Sequence, residues 1–160
     1  MNTKIKYKQP TGHNCGLYAI SNIFDDDGII NDVRCEYGKN GHTINDLNIY
    51  LREDGKDYYV ETLYKNIFNT QLPVEAHVWP TSNIDTIPLL LTVAFELGGV
   101  NHIVGLRVIS DRTVYLYDSL REYVIETDFA SLHDFYPIIF GVFAFKSYDP
   151  TNEGYVSFIQ

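Results

Sequence analysis

Hydrophobic positions recur along this chain with two different periods, and the change between them falls near Pro73. Before it, Leu17, Tyr18, Ile20 and Ile23 stand at helical spacing, as do Ile44, Leu47 and Leu51, and then Val60, Leu63, Tyr64, Ile67 and Phe68. Spacings of three and four place side chains on one helix face. The pattern predicts a helix beginning at Cys15, another opening on the N-cap Thr43 with Asp46 three positions on, and a further one over 56–69. Residues 1–8 alternate Lys with Ile and Tyr, the pattern of a short edge strand. Asp25-Asp26-Asp27-Gly28 reads as a helix stop and solvated turn; no glutamate stands at the twelfth position that a calcium loop requires.

After Pro73 the apolar residues gather in short runs rich in β-branched and aromatic types, at 74–79, 89–97, 102–109, 113–118 and 138–146. The run from Leu89 to Phe95 is apolar on both faces, as a central strand is, whereas 113–118 is two-faced. Ser110-Asp111-Arg112 reads as a tight hairpin between two of them, and 128–135 as a short helical segment before the closing strand. The tail over 148–160, with Pro150 and Gly154, is either loose or one more strand. There is no internal repeat or linker, so the expectation is one α+β domain over 1–160, with N-terminal helices packed on a C-terminal antiparallel sheet.

Composition narrows the partners. A 160-residue chain with 45% hydrophobic residues can bury one proper core. Its net charge of −9, with Lys and Arg scattered, argues against a nucleic-acid groove or an anionic membrane surface. The N-terminus lacks the apolar stretch of a secretory signal, and no apolar run approaches membrane-spanning length. A soluble protein of a reducing, cytoplasmic compartment is expected, with Cys15 and Cys35 as free thiols.

Within Gln9-Pro-Thr-Gly-His-Asn-Cys-Gly, a turn-rich loop runs into an apolar helix with Cys15 at the joint. A helix N-terminus favours the thiolate, and only the thiolate is a strong nucleophile. Gln9, six residues earlier, offers an amide donor for an oxyanion. The same cysteine is also compatible with a merely packed, buried thiol. A base separates the two readings. Of His13, His42, His77, His102 and His133, His102 opens a strand directly after the turn Gly98-Gly99-Val100-Asn101. Asp118, sixteen residues on, ends the next strand, and a hairpin turning near Asp111 brings it beside His102. A carboxylate there holds the imidazole in the tautomer a Cys/His nucleophile needs. A zinc module of His13, Cys15, Cys35 and His42 is the competing chemistry, at spacings unusual for zinc.

Gln9, Cys15 with Gly16, His102 and Asp118 resemble, in order and spacing, the papain-fold cysteine peptidases, and within them the bacteriocin-processing double-glycine peptidases. The Cys-to-His gap here is 87 residues (102 minus 15). Ile103 stands where that family usually has a bulkier or aromatic residue, and Ser119-Leu120 where it usually has proline. The wording Tyr-Asp-Ser-Leu, and Gln-Pro-x-Gly-x-Asn-Cys-Gly, is similar instead to the deconjugating proteases of ubiquitin-like proteins such as SUMO, in permuted order. The resemblance implies a papain-like fold and a Cys15–His102–Asp118 triad. It also implies Gln9 as oxyanion donor, a protein or peptide substrate cleaved at a glycine-containing site, and neither cofactor nor metal. His13 and Trp79 are expected to line the cleft. A catalytically silent binding or inhibitory protein on the same fold is the alternative.

Overall fold

A computed structural model describes residues 3–10, 14–31, 43–65, 87–95, 101–109 and 113–147, with the backbone alone at Tyr64, Lys65 and Ser147. Helix α1 spans Cys15–Phe24 and α2 spans Ile44–Glu53, followed by strands β1 (Tyr58–Lys65), β2 (Ile87–Ala94), β3 (His102–Val108), β4 (Val114–Tyr117) and β5 (Ile125–Thr127). A short helix α3 (Leu132–Phe135) then precedes β6 (Ile138–Ser147). The strands form one antiparallel sheet in the order β1-β6-β2-β3-β4-β5. The fold is α+β.

The apolar runs explain the layers. Leu89, Leu91 and Val93 alternate with Leu90 along β2, and every one of them is buried, because β2 lies between β3 and β6 with both faces covered. Leu90, Ile103, Phe143 and Phe145 share a core with Leu17, Ile20 and Ile23 of α1 and Leu47 and Leu51 of α2. Leu89, Leu91, Val93, Val104 and Leu106 meet Phe129, Leu132 and Tyr136 on the opposite face. The helices α1 and α2 therefore cover one face, and α3 with its flanking turns covers the other.

Local chemistry sets the helix limits. Thr43 and Asp46 close a reciprocal capping box at the start of α2, at 3.1 and 2.9 Å. Asp25 ends α1 in the left-handed conformation (φ 49°), its N–H donating to the Ser21 carbonyl, as the run of aspartates predicts. The Arg107 guanidinium donates to the Ile23 carbonyl at the same helix end, where a cation complements the macrodipole.

The helix expected over 56–69 is a strand as far as it is described. β1 pairs with β6, and its register slips between Thr62 and Tyr64, so Leu63 is bulged out. A bulge shifts the alternation of apolar residues by one, which turns a period of two into a helix-like spacing of three. The Asn48 side chain of α2 then clamps the outer backbone of this edge strand, accepting from the Val60 N–H at 2.7 Å and donating to the Val60 carbonyl at 2.9 Å. The strand expected over residues 1–8 reduces to a single bridge between Lys4 and Tyr123. The expectations for 74–79, for Ser110 to Arg112 and for 148–160 lie outside the described residues. Among the described residues, no helix is long and apolar enough to cross a membrane.

Candidate active site

Helix α1 carries Cys15 as its first residue, and two close contacts fix where that residue lies. A Cβ on Gly105 of β3 would stand 2.6 Å from Cγ1 and Cδ1 of Ile23, so the helix rests on the strand at a distance that only glycine permits. Near the other helix end, a Cβ on Gly16 would meet Leu47 at 3.0 Å and Ile103 at 3.2 Å. Cys15 is thereby pressed against the first residues of β3. The Ile103 N–H donates to its sulfur at 3.3 Å. No acidic residue stands in the first turn of α1, and Asn14 makes no side-chain cap bond there, so the positive helix end remains uncompensated by this segment.

His102 opens β3 as the sequence predicts. Strand alternation sends Ile103 toward α1 and puts His102 on the side of Val104 and Leu106, but at the strand's first position, where the sheet ends. There the imidazole meets both faces. Its Nε2 bonds Asp118 Oδ1 at 2.7 Å, and the Cys15 side chain lies close enough to raise the ring's pKa. Burial works against charge on this ring, yet the bonds to Asp118 and Cys15 outweigh it and raise the His102 pKa from 6.5 to about 9. The ring is held as imidazolium at neutral pH.

Asp118 has two jobs. It ends β4 in a turn, its Oδ1 accepting from the Leu120 N–H at 3.0 Å and its carbonyl from the Arg121 N–H at 2.9 Å. It also faces His102, while the Tyr136 hydroxyl donates to Oδ2 and the Arg121 Nε lies 3.5 Å from the same oxygen. Burial alone would raise this carboxyl's pKa, but His102, Tyr136 and the Leu120 N–H lower it below the usual 3.8. Tyr136 is wholly buried, and its phenol is pushed up by that burial and by the neighbouring carboxylate. The guanidinium of Arg121 is held over the Phe135 and Tyr136 rings at 5.5 and 5.6 Å.

Gln9 arrives along a separate path. The N-terminal segment runs antiparallel to residues 119–124: the Val124 N–H donates to the Thr3 carbonyl at 2.8 Å, the Ile5 N–H to the Glu122 carbonyl at 2.9 Å and the Gln9 N–H to the Ser119 carbonyl at 3.2 Å. Asn22 of α1 fastens the same segment, accepting from the Tyr7 N–H and donating to the Tyr7 carbonyl, both at 2.9 Å. The Ser119 hydroxyl donates to Gln9 Oε1, so the amide oxygen is turned to the serine and the amide nitrogen is the donor end of the side chain. Gln9 is buried beside these groups.

The structure thus brings Cys15, His102 and Asp118 together and ties Gln9 to the residue after Asp118. His13 and Trp79, expected to line the cleft, lie outside the described residues, as do Cys35, His42 and His77. His133 sits on α3, its Nδ1 3.4 Å from the Pro137 carbonyl. Among the described residues, no three histidine, cysteine or acidic side chains converge to hold a metal ion. Sequence reasoning missed Tyr136, Arg121 and Ser119. Tyr136 is one of 13 tyrosines and carries no local mark, whereas Ser119 stood out only as the residue replacing a proline of the resembled family. No protein-family model matches the chain, and no curated protein matches its sequence.

Proposed function

We propose that this protein is a cysteine peptidase with a papain-like arrangement of nucleophile helix and sheet, hydrolysing a peptide or isopeptide bond. The observation that carries this reading is a single buried imidazole bonded to the Asp118 carboxylate, with the Cys15 thiol close enough to raise the ring's pKa. A packed structural cysteine needs neither partner. A sulfur that also accepts a backbone N–H gains most from that bond as an anion, because charge-assisted hydrogen bonds are the stronger ones.

In this mechanism the Cys15 thiolate, formed as His102 takes the thiol proton, attacks the substrate carbonyl carbon. The new C–S bond pushes an electron pair onto the carbonyl oxygen. The Gln9 amide nitrogen and the Cys15 N–H at the start of α1 stabilise that oxyanion, each donor contributing about 3 kcal/mol in comparable acyl-transfer sites. The intermediate collapses, the C–N bond breaks, and His102 gives its proton to the leaving amine. Water then attacks the thioester, losing a proton to His102 and releasing the carboxylic acid and the free thiol. Asp118 holds His102 in position throughout. A glycine-containing cleavage site belongs to this reading, as in the double-glycine peptidases and the ubiquitin-like deconjugating proteases that the motifs resemble. A reducing, cytoplasmic setting belongs to this reading, because the chemistry needs Cys15 as the free thiol it is.

The test is cleavage of a degenerate peptide library that includes Gly-Gly sequences, followed by mass spectrometry, with Cys15→Ala as control. Products that disappear in Cys15→Ala support the reading. Cleavage that survives the substitution overturns it, and folded protein that labels at Cys15 without cleaving any peptide favours the silent binding protein.

A further inference from the structure

A recess that Cys15 does not line opens beside β4. Along β4, Tyr115 and Tyr117 point to one face, and Tyr115 stands directly between Arg107 of β3 and Glu126 of β5 in the register of the sheet. Tyr123 joins them from the turn before β5, and Thr3 of the stitched N-terminal segment forms the far wall. Together Thr3, Tyr115, Tyr117, Tyr123 and Glu126 line an open cavity of about 710 Å³, within the size range of ligand sites. Tyr115 and Glu126 are cross-strand partners, and the carboxylate raises the Tyr115 pKa. Arg107, the cation in this row, bonds the Ile23 carbonyl and stacks on the Phe24 ring; it does not line the cavity, although its charge reaches Tyr117.

Three tyrosines and one carboxylate, with no lysine or arginine among the described residues lining the space, are the chemistry that receives an organic cation. A guanidinium suits it better than an ammonium, because its plane stacks on tyrosine while its fork meets a carboxylate. The chain's net charge of −9 draws a basic partner toward it. We propose that the Tyr115–Tyr117–Tyr123–Glu126 cavity is a binding site for an arginine side chain of a partner polypeptide. None of Cys15, His102 and Asp118 lines it: Tyr117 leaves β4 on the α1 side, and Asp118, the next residue, on the other.

Titration of the ¹⁵N-labelled protein at pH 7 with the peptide acetyl-Ala-Ala-Arg-Ala-Ala-amide, against the same peptide carrying citrulline, tests this. Citrulline keeps the shape and removes the charge. The expected result is saturable shifts confined to Thr3, residues 115–117 and residues 123–126, with affinity at least about fivefold weaker for citrulline and for the folded variants Glu126→Gln and Tyr123→Leu. Absence of saturable shifts there, equal affinity for the citrulline peptide, or full affinity in both variants would overturn it. Because the readout is binding alone, either result leaves the proposal for Cys15 untouched.

Discussion

The Ile103 N–H donates to the Cys15 sulfur across 3.3 Å, joining the first residue of α1 to the second residue of β3. His102 is the neighbour of that donor in the chain, so one bond places the sulfur beside both a backbone dipole and an imidazole. Whatever holds α1 on β3 therefore holds the site together.

Gly105 is the first place to test that dependence. Gly105→Ala drives a methyl into Ile23 at a point where the nearest backbone, the Ala19 carbonyl, is already within 3.3 Å. Overpacking of this kind typically costs about 1–3 kcal/mol. Urea unfolding of the variant should show a loss of that size, and cysteine alkylation should change as α1 is lifted from β3. An unchanged midpoint would mean that the helix is held elsewhere.

Asp118 sets the charge of His102, and the pH dependence follows from the direction of each shift. The His102 pKa is raised from 6.5 to about 9, so its contribution to stability is fully present below pH 6.5 and is lost as pH rises through about 9. The Asp118 pKa is lowered from 3.8, so its contribution is present above that value and is lost as pH falls through the depressed one. Asp118→Asn should destabilise the protein most on the plateau between these limits, and the difference from the native protein should shrink toward pH 9 and above. Titration of the His102 ring by NMR should show its pKa falling toward the ordinary value in the same variant. A ring pKa that stays near 9 would remove Asp118 from its assigned part.

How much of this was legible in the sequence differs between elements. Helix α1 and the capping box of α2 could be read because their signals are local: a turn-to-apolar joint at Cys15, and Thr43 with Asp46 three residues on. The pairing of His102 with Asp118 was legible because a hairpin is nearly local too. β1 was read as a helix because a bulge at Leu63 disguises its alternation, and β5, three residues long, offers too few positions for any period. The place of β6 between β1 and β2, and the bond from Tyr136 to Asp118, depend on closure of the sheet and leave no trace in spacing. Ser119 marks the limit of reading by likeness: it departs from the resembled pattern, yet here it is the residue that orients Gln9.

Gln9 and Ser119 should separate oxyanion binding from thiol reactivity. A peptide aldehyde such as acetyl-Gly-glycinal forms a hemithioacetal with Cys15 whose oxygen occupies the oxyanion position. Gln9→Ala should weaken that adduct by about 100-fold or more, while Ser119→Ala, which leaves the amide present but unsteered, should weaken it less. Alkylation by iodoacetamide, which develops no such oxyanion, should stay within about twofold in both. Equal losses in the two assays would assign Gln9 to structure alone.

The most direct measurement is the rate of iodoacetamide labelling at Cys15 from pH 5 to 10, followed by peptide mass spectrometry in the native protein and in His102→Ala. If imidazole and sulfur act as one unit, the native protein should label near pH 6 at least about tenfold faster than His102→Ala, with an inflection near pH 9 that the variant lacks. Superimposable profiles, both rising as an ordinary thiol does around pH 8.5, would contradict the pairing on which the enzymatic reading stands.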